Sequence, residues 1–284
     1  MAITVYSPLD ASAPTIGDTA GMGITFFDAI LVNGYGSKPS QGWTKAFSGT
    51  NKAAYLHPSG EFYLRVDHSA TSPIVLRCYE TMTDVDTGAD PFPTVAQKSD
   101  SVSNIPLYVL SQDYRLYGNG EFMYFVCTQN AAPGVSTTQV NVFFCGRTLE
   151  DLYSNLCSSA NRYTYAMRNY DGSVKSQICG SADEHIKADN GGYSGRNDFN
   201  AYPGNPEGKI ILKPAHVRAS GPTRLFYRGF YPGLYIIETD VSATTGVDNI
   251  IGENIVTDDK GNTYHLINYF SGNYTDAIKI SGSW

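Results

Sequence analysis

The densest gathering of potential ligand groups in the chain is Asp84-Val85-Asp86-Thr87-Gly88-Ala89-Asp90. Alternating aspartates around a glycine can converge carboxylate oxygens on a hard cation, which makes Asp84, Asp86 and Asp90 candidate calcium ligands. The run departs from an EF-hand loop, because its third acidic position comes late and no bidentate glutamate closes the set. An aspartate-stabilised turn accounts for the same residues without an ion. Apart from calcium, no cofactor is suggested. Asp84 with Asp86, or Asp183 with Glu184, could also serve as the paired carboxylates of a glycosidase. A chain with 27 acidic residues offers such pairs by chance.

Other chemistry lacks its spacing. His57, His68, His185, His216 and His265 are scattered, with no H-E-x-x-H, and no serine sits in a G-x-S-x-G elbow. Gly34-Tyr35-Gly36 fails both the dinucleotide and the P-loop patterns. The five cysteines, Cys78, Cys127, Cys145, Cys157 and Cys179, contain no C-x-x-C pair and read as free buried thiols in a reducing cytosol. No catalytic residue is nominated, and the chain is expected not to be an enzyme.

Composition narrows the partners. The 284 residues are 42% hydrophobic but only 17% charged, against roughly 25% in an average domain. Much of the polar surface must therefore be uncharged, with 28 glycines and 21 tyrosines among its suppliers. Tyrosine combines an apolar ring with a hydroxyl, which suits half-buried strands and protein interfaces. The net charge of -7 and the lack of a Lys/Arg block argue against nucleic acid as the primary partner. The first ten residues do not read as a signal peptide and no 18-residue apolar stretch occurs, so no membrane partner is expected.

The elements that would carry these residues are mainly strands. Ile24, Phe27, Ile30 and Leu31 recur at helical spacing and Asn33-Gly34 supplies a stop, predicting an amphipathic helix of about three turns. Phe62–Val66 and Ile74–Tyr79 predict one hairpin. Tyr114–Tyr117 and Phe122–Val126, flanking Gly118-Asn119-Gly120, predict a second, which Val140–Cys145 extends. A short helix is expected over Leu149–Cys157. Residues 181–208, rich in glycine, asparagine and proline, read as an irregular connector. Further strands follow at Lys209–Leu212, Arg224–Tyr227, Leu234–Ile237 and Tyr264–Tyr269. The expectation is an α+β, mainly β fold. Its N-terminal helix lies on antiparallel sheet in an α+β unit, 1–180. After the connector, 181–208, comes a β-rich section, 209–284, separate from that unit or part of it.

One ordered series is more specific. It runs from Leu31-Val32-Asn33-Gly34-Tyr35-Gly36-Ser37-Lys38 through Gly42-Trp43-Thr44-Lys45-Ala46-Phe47-Ser48-Gly49-Thr50-Asn51 to Tyr79–Gly88 and Pro91–Thr94. The series resembles a family of virion structural proteins of tailed bacteriophages. The likeness is dense over residues 1 to about 95 and thinner at Arg228–Tyr235 and Trp284. It implies a structural subunit of neck, tail, baseplate or capsid surface, made in the host cytoplasm and ending in the virion. The implied partners are copies of itself and other virion proteins. It brings no catalytic residues. A host-receptor-binding tail protein and a tail-borne carbohydrate-active enzyme stay open as alternatives. Physically, Trp43 and Phe47, four apart, are expected to anchor the helix exit against the first hairpin.

Overall fold

A computed structural model of the chain describes residues 2–70, 74–92, 104–105, 114–129, 139–147, 149, 163–168, 194–195, 212–220, 225–237, 255–267, 276–282 and 284. The strands are β1 (Thr4–Tyr6), β2 (Thr44–Gly49), β3 (Lys52–Leu56), β4 (Tyr63–Asp67), β5 (Ile74–Asp84), β6 (Thr87–Phe92) and β7 (Asn104–Ile105). They continue with β8 (Tyr114–Gly118), β9 (Phe122–Gln129), β10 (Gln139–Arg147), β11 (Tyr163–Arg168), β12 (Ser194–Gly195) and β13 (Leu212–Ser220). The last four are β14 (Leu225–Ile237), β15 (Ile255–Thr257), β16 (Thr263–Ile267) and β17 (Asp276–Lys279). One helical stretch, α1 (Met22–Phe27), runs directly into a π-helical segment, Asp28–Asn33. The protein is thus mainly β; among the described residues there is one short helix and every strand pairing is antiparallel.

Three sheets form. The first has the order β2-β3-β4-β5-β6, with β7 added on β5; the central one is β1-β8-β9-β10-β11; the third is β12-β13-β14-β17-β16-β15. Both expected hairpins are present, as β4 with β5 and β8 with β9, and β10 extends the second. Gly120, at φ 89, takes the left-handed conformation that the β8–β9 turn requires.

Strict alternation in the central sheet decides the layering. Leu116, Met123, Phe125, Cys127, Phe143 and Cys145 join one buried cluster with Tyr55, Leu64, Val66 and Leu76 of the first sheet. Their neighbours Tyr117, Phe122, Tyr124, Val126, Val142 and Phe144 join another with Tyr231, Leu234, Ile267 and Ile278 of the third. Period-two side chains send each strand's residues to opposite faces, and here both faces are covered. The second cluster therefore draws on residues from both sides of the 181–208 stretch, and Tyr124 Oη donates to the Pro232 carbonyl at 2.9 Å across it.

The helix sits between the first and central sheets. Phe26 meets Tyr114 edge-on with ring centres 4.8 Å apart, and both Phe26 and Phe27 touch Phe125. Its expected stop is present: Gly34 lies at φ 75. The second half of the helical stretch, Asp28–Asn33, is widened to π geometry, and the Ile30 and Leu31 carbonyls accept from the Gln41 and Trp43 amides as the chain leaves for β2. Capturing those carbonyls satisfies backbone acceptors that a helix end otherwise leaves open.

Some expectations shift. The strands expected separately at Arg224–Tyr227 and Leu234–Ile237 are parts of one long strand, β14, with register breaks opposite Pro214–His216 and Val217–Arg218. Leu149, expected to open a helix, instead bridges Phe230 through two backbone hydrogen bonds of 2.9 Å; residues 150–157 lie outside the described set. Ser194–Gly195 pairs with β13, while the rest of 181–208 lies outside the described residues.

Candidate functional site

The candidate calcium run forms the β5–β6 turn. Asp84 Oδ1 accepts the Asp86 amide at 3.2 Å, the hydrogen bond of an aspartate-stabilised turn. Asp86 is engaged by cations of the protein itself: Lys52 Nζ lies 3.0 Å from Oδ1, and Arg65 Nη2 also donates to that oxygen. These two hydrogen bonds, Arg65 first, hold the Asp86 carboxyl below the usual carboxylate range. Arg65 further donates from Nε to the Val85 carbonyl at 2.7 Å and from Nη2 to Asp67 at 2.9 Å. Burial disfavours ionised Asp67, but Ser69 and Arg65 outweigh it and keep that carboxyl low as well. Asp90 belongs to β6, and its side chain lies outside the described set. Among the described residues, no three His, Cys, Asp or Glu side chains gather as a metal site. What the structure brings together is therefore Lys52, Arg65, Asp67 and Asp86, an ion-pair network fastening a turn to the first sheet. Lys52 carries no signal in the sequence, because register alone puts it opposite Asp67.

A second polar assembly is built by the Asn33–Asn51 series. Tyr35 and Lys38 exchange both backbone hydrogen bonds, closing a tight loop around Gly36, whose φ of 53 and approach to the Ala11 carbonyl exclude a side chain. From that loop Tyr35 Oη donates to Asp10 at 2.8 Å, while Lys38 Nζ pairs with Asp10 at 3.1 Å and donates to the Val5 carbonyl at 2.7 Å. Asp10 also accepts the Ser7 amide. The turn Ser7–Asp10 is thereby fixed, and it holds Leu9 out to solvent at 84% exposure.

Gln41 joins this loop to the central sheet. Its Nε2 donates to Tyr6 Oη at 2.6 Å and its Oε1 accepts the Gly120 amide at 2.9 Å, with Gln41 only 5% exposed. His57 secures the same β8–β9 turn from the other side, with Nε2 3.3 Å from the Glu121 carbonyl and Nδ1 2.8 Å from Ser59 Oγ. Its ring stacks on Phe62 and meets Trp43 edge-on. Burial pushes the His57 pKa down to about 4 despite those carbonyl contacts. On the opposite face of the central sheet, His265 Nδ1 lies 2.9 Å from Tyr117 Oη, and burial followed by the Arg115 charge lowers it likewise to about 4. Both histidines are thus neutral connectors between layers at ordinary pH.

Trp43 packs as expected, against Phe62 and His57. Phe47 does not join it. A register shift between Lys45 and Phe47 places Lys45 opposite Tyr55 and Phe47 opposite Ala54. One extra residue in the strand reverses the face of everything after it. Lys45 consequently reaches inward to Asp28, which also accepts from Tyr55 Oη, and Phe47 lies over Tyr63 on the outer face.

No family model matches the chain, and no curated protein matches it. Among the described residues, no helix is long and apolar enough to cross a membrane.

Proposed function

We propose that this chain is a structural subunit of a tailed-bacteriophage particle, placed in a symmetric layer of neck, tail, baseplate or capsid surface, and not an enzyme. The reading rests on the ordered residue series from Asn33 to Asn51 and from Tyr79 to Thr94. One observation supports it: the Asn33–Asn51 series spends its polar groups on fixing loops, and the loop Tyr35–Lys38 locks a turn that presents Leu9 to solvent. A contact residue held in one conformation loses little entropy when a neighbour docks, which favours repeated assembly contacts. The low charge of the chain suits extensive contacts with copies of itself and with other virion proteins. In this reading it is made in the host cytoplasm and ends in the virion.

The experiment is assembly in the absence of the chain. Particles formed without it should be incomplete or non-infectious, and labelled subunit should be visible at one symmetric layer by electron microscopy. Normal infectious particles lacking the chain would sink the reading. Leu9→Asp provides a finer test, since it should leave the isolated protein folded yet reduce its incorporation.

A further inference from the structure

Cys78 on β5 and Cys145 on β10 point into the same core from two different sheets, and their sulfurs lie 3.4 Å apart. Both are reduced and fully buried. A disulfide needs about 2.05 Å between sulfurs, so the two have roughly 1.3 Å still to close, within reach of small side-chain rotations. Neither thiol is drawn into any of the polar networks described above. We infer that Cys78 and Cys145 are a modification site, a thiol pair that a hydroperoxide converts into a disulfide stapling the first sheet to the central sheet.

The chemistry balances with one peroxide. The thiolate of one cysteine attacks a peroxide oxygen; the O–O bond breaks, leaving a sulfenic acid and, after protonation, one water. The second sulfur attacks the sulfenic sulfur, the S–S bond forms, the S–O bond breaks, and a second water leaves. Two thiols lose two electrons in all, and hydrogen peroxide gains them. Reaction requires local opening, because both sulfurs are buried. It is also slow near neutrality, since burial and then the Cys145 hydrogen bond push the Cys78 thiol up and deplete its thiolate. The product is favoured once formed, because the cysteines are 67 positions apart and the link removes a large loop from the unfolded ensemble.

The test treats the reduced, full-length protein with hydrogen peroxide under native conditions. Remaining thiols are then blocked by alkylation, and digestion without reductant is followed by mass spectrometry. The expected result is one pair of peptides, those containing Cys78 and Cys145, joined and two hydrogens lighter. The thermal midpoint should rise by roughly 5–8 °C for a loop of this length in a chain of this size, and dithiothreitol should reverse the rise. A Cys145→Ser variant should show neither effect. Because the peptide map is read on the unaltered protein, it decides the matter even where the variant fails to fold. Linkage appearing only after denaturation, a link through Cys127 instead, or sulfinic acid without any link would overturn the proposal.

Discussion

Acid should destabilise this protein well above the pH at which its carboxylates titrate, and the cause is the pair of buried histidines. His57 and His265 both have pKa values near 4 in the fold, against 6.5 when free. The folded state holds the rings neutral, so between pH 6.5 and about 4 the unfolded chain binds protons that the folded chain refuses. Stability is therefore whole above pH 6.5, falls as pH drops through that window, and takes no further loss from these rings below about 4. Each ring contributes a slope of about 1.4 kcal/mol per pH unit, hence about 3.5 kcal/mol across the window and about 7 for both. Since a domain's whole stability is about 5–15 kcal/mol, a loss of this size removes a large part of it. Asp67 and Asp86, held low in the fold, lose their contribution only at the acid end of the window and below. Urea unfolding at constant ionic strength between pH 7.5 and 4.5 measures the slope, and titration calorimetry on unfolding near pH 5 should find uptake of nearly two protons. His265→Gln, which keeps a partner for Tyr117, should roughly halve the slope. Constant stability from pH 7 to 5 would refute the reasoning outright.

Three other outcomes follow from the same geometry. Gln41→Ala leaves the Gly120 amide without its present partner and removes the donor to Tyr6 Oη, which keeps its own bond to the Pro39 carbonyl, and should cost about 2–3 kcal/mol in urea unfolding; a loss under about 0.5 would show that the β8–β9 turn does not depend on it. Gly233 lies at φ 60, and a Cβ there would collide with the Trp284 ring, so Gly233→Ala should lower stability by more than about 2 kcal/mol and shift tryptophan fluorescence. Removing the ring as well, in Gly233→Ala with Trp284→Ala, should leave a coupling energy that an independent pair would not show. Millimolar calcium should leave the thermal midpoint unmoved, because Lys52 and Arg65 already occupy Asp86; a rise that Asp86→Asn abolishes would restore the calcium reading.

How far the sequence could be read depended on whether the relevant force was local. The helix end at Gly34 and the two hairpins were legible, because turn residues and periodicity act over a few positions. The burial of both faces of β8–β10 was not, since period-two alternation of Tyr117 with Leu116, or Tyr124 with Phe125, names two faces without saying what covers either. The reversal of Phe47 was hidden for a different reason. A bulge at Ala46 is a matter of register with β3, and nothing in Lys45-Ala46-Phe47 itself announces it. At the candidate site, the aspartate turn was legible at Asp84 and Asp86, whereas the contacts of Arg65 and Lys52 with Asp86, and of Gln41 and His57 with the β8–β9 turn, join residues 21 to 79 positions apart. The low histidine pKa values belong to the same class, because burial is set by the whole fold.

The position of β1 has a consequence for how the chain is made. Thr4–Tyr6 closes an edge of the central sheet by pairing with Leu116–Gly118, a stretch that is synthesised about 110 residues later. At roughly 5–20 residues per second, the first strand waits about 6–20 s on the ribosome before its partner exists. During that interval the helix and the first sheet can form, but the helix face that will meet Tyr114 and Phe125 stays uncovered. A three-residue β1 gives a stray chain little to pair with, so its shortness protects the nascent protein during the wait.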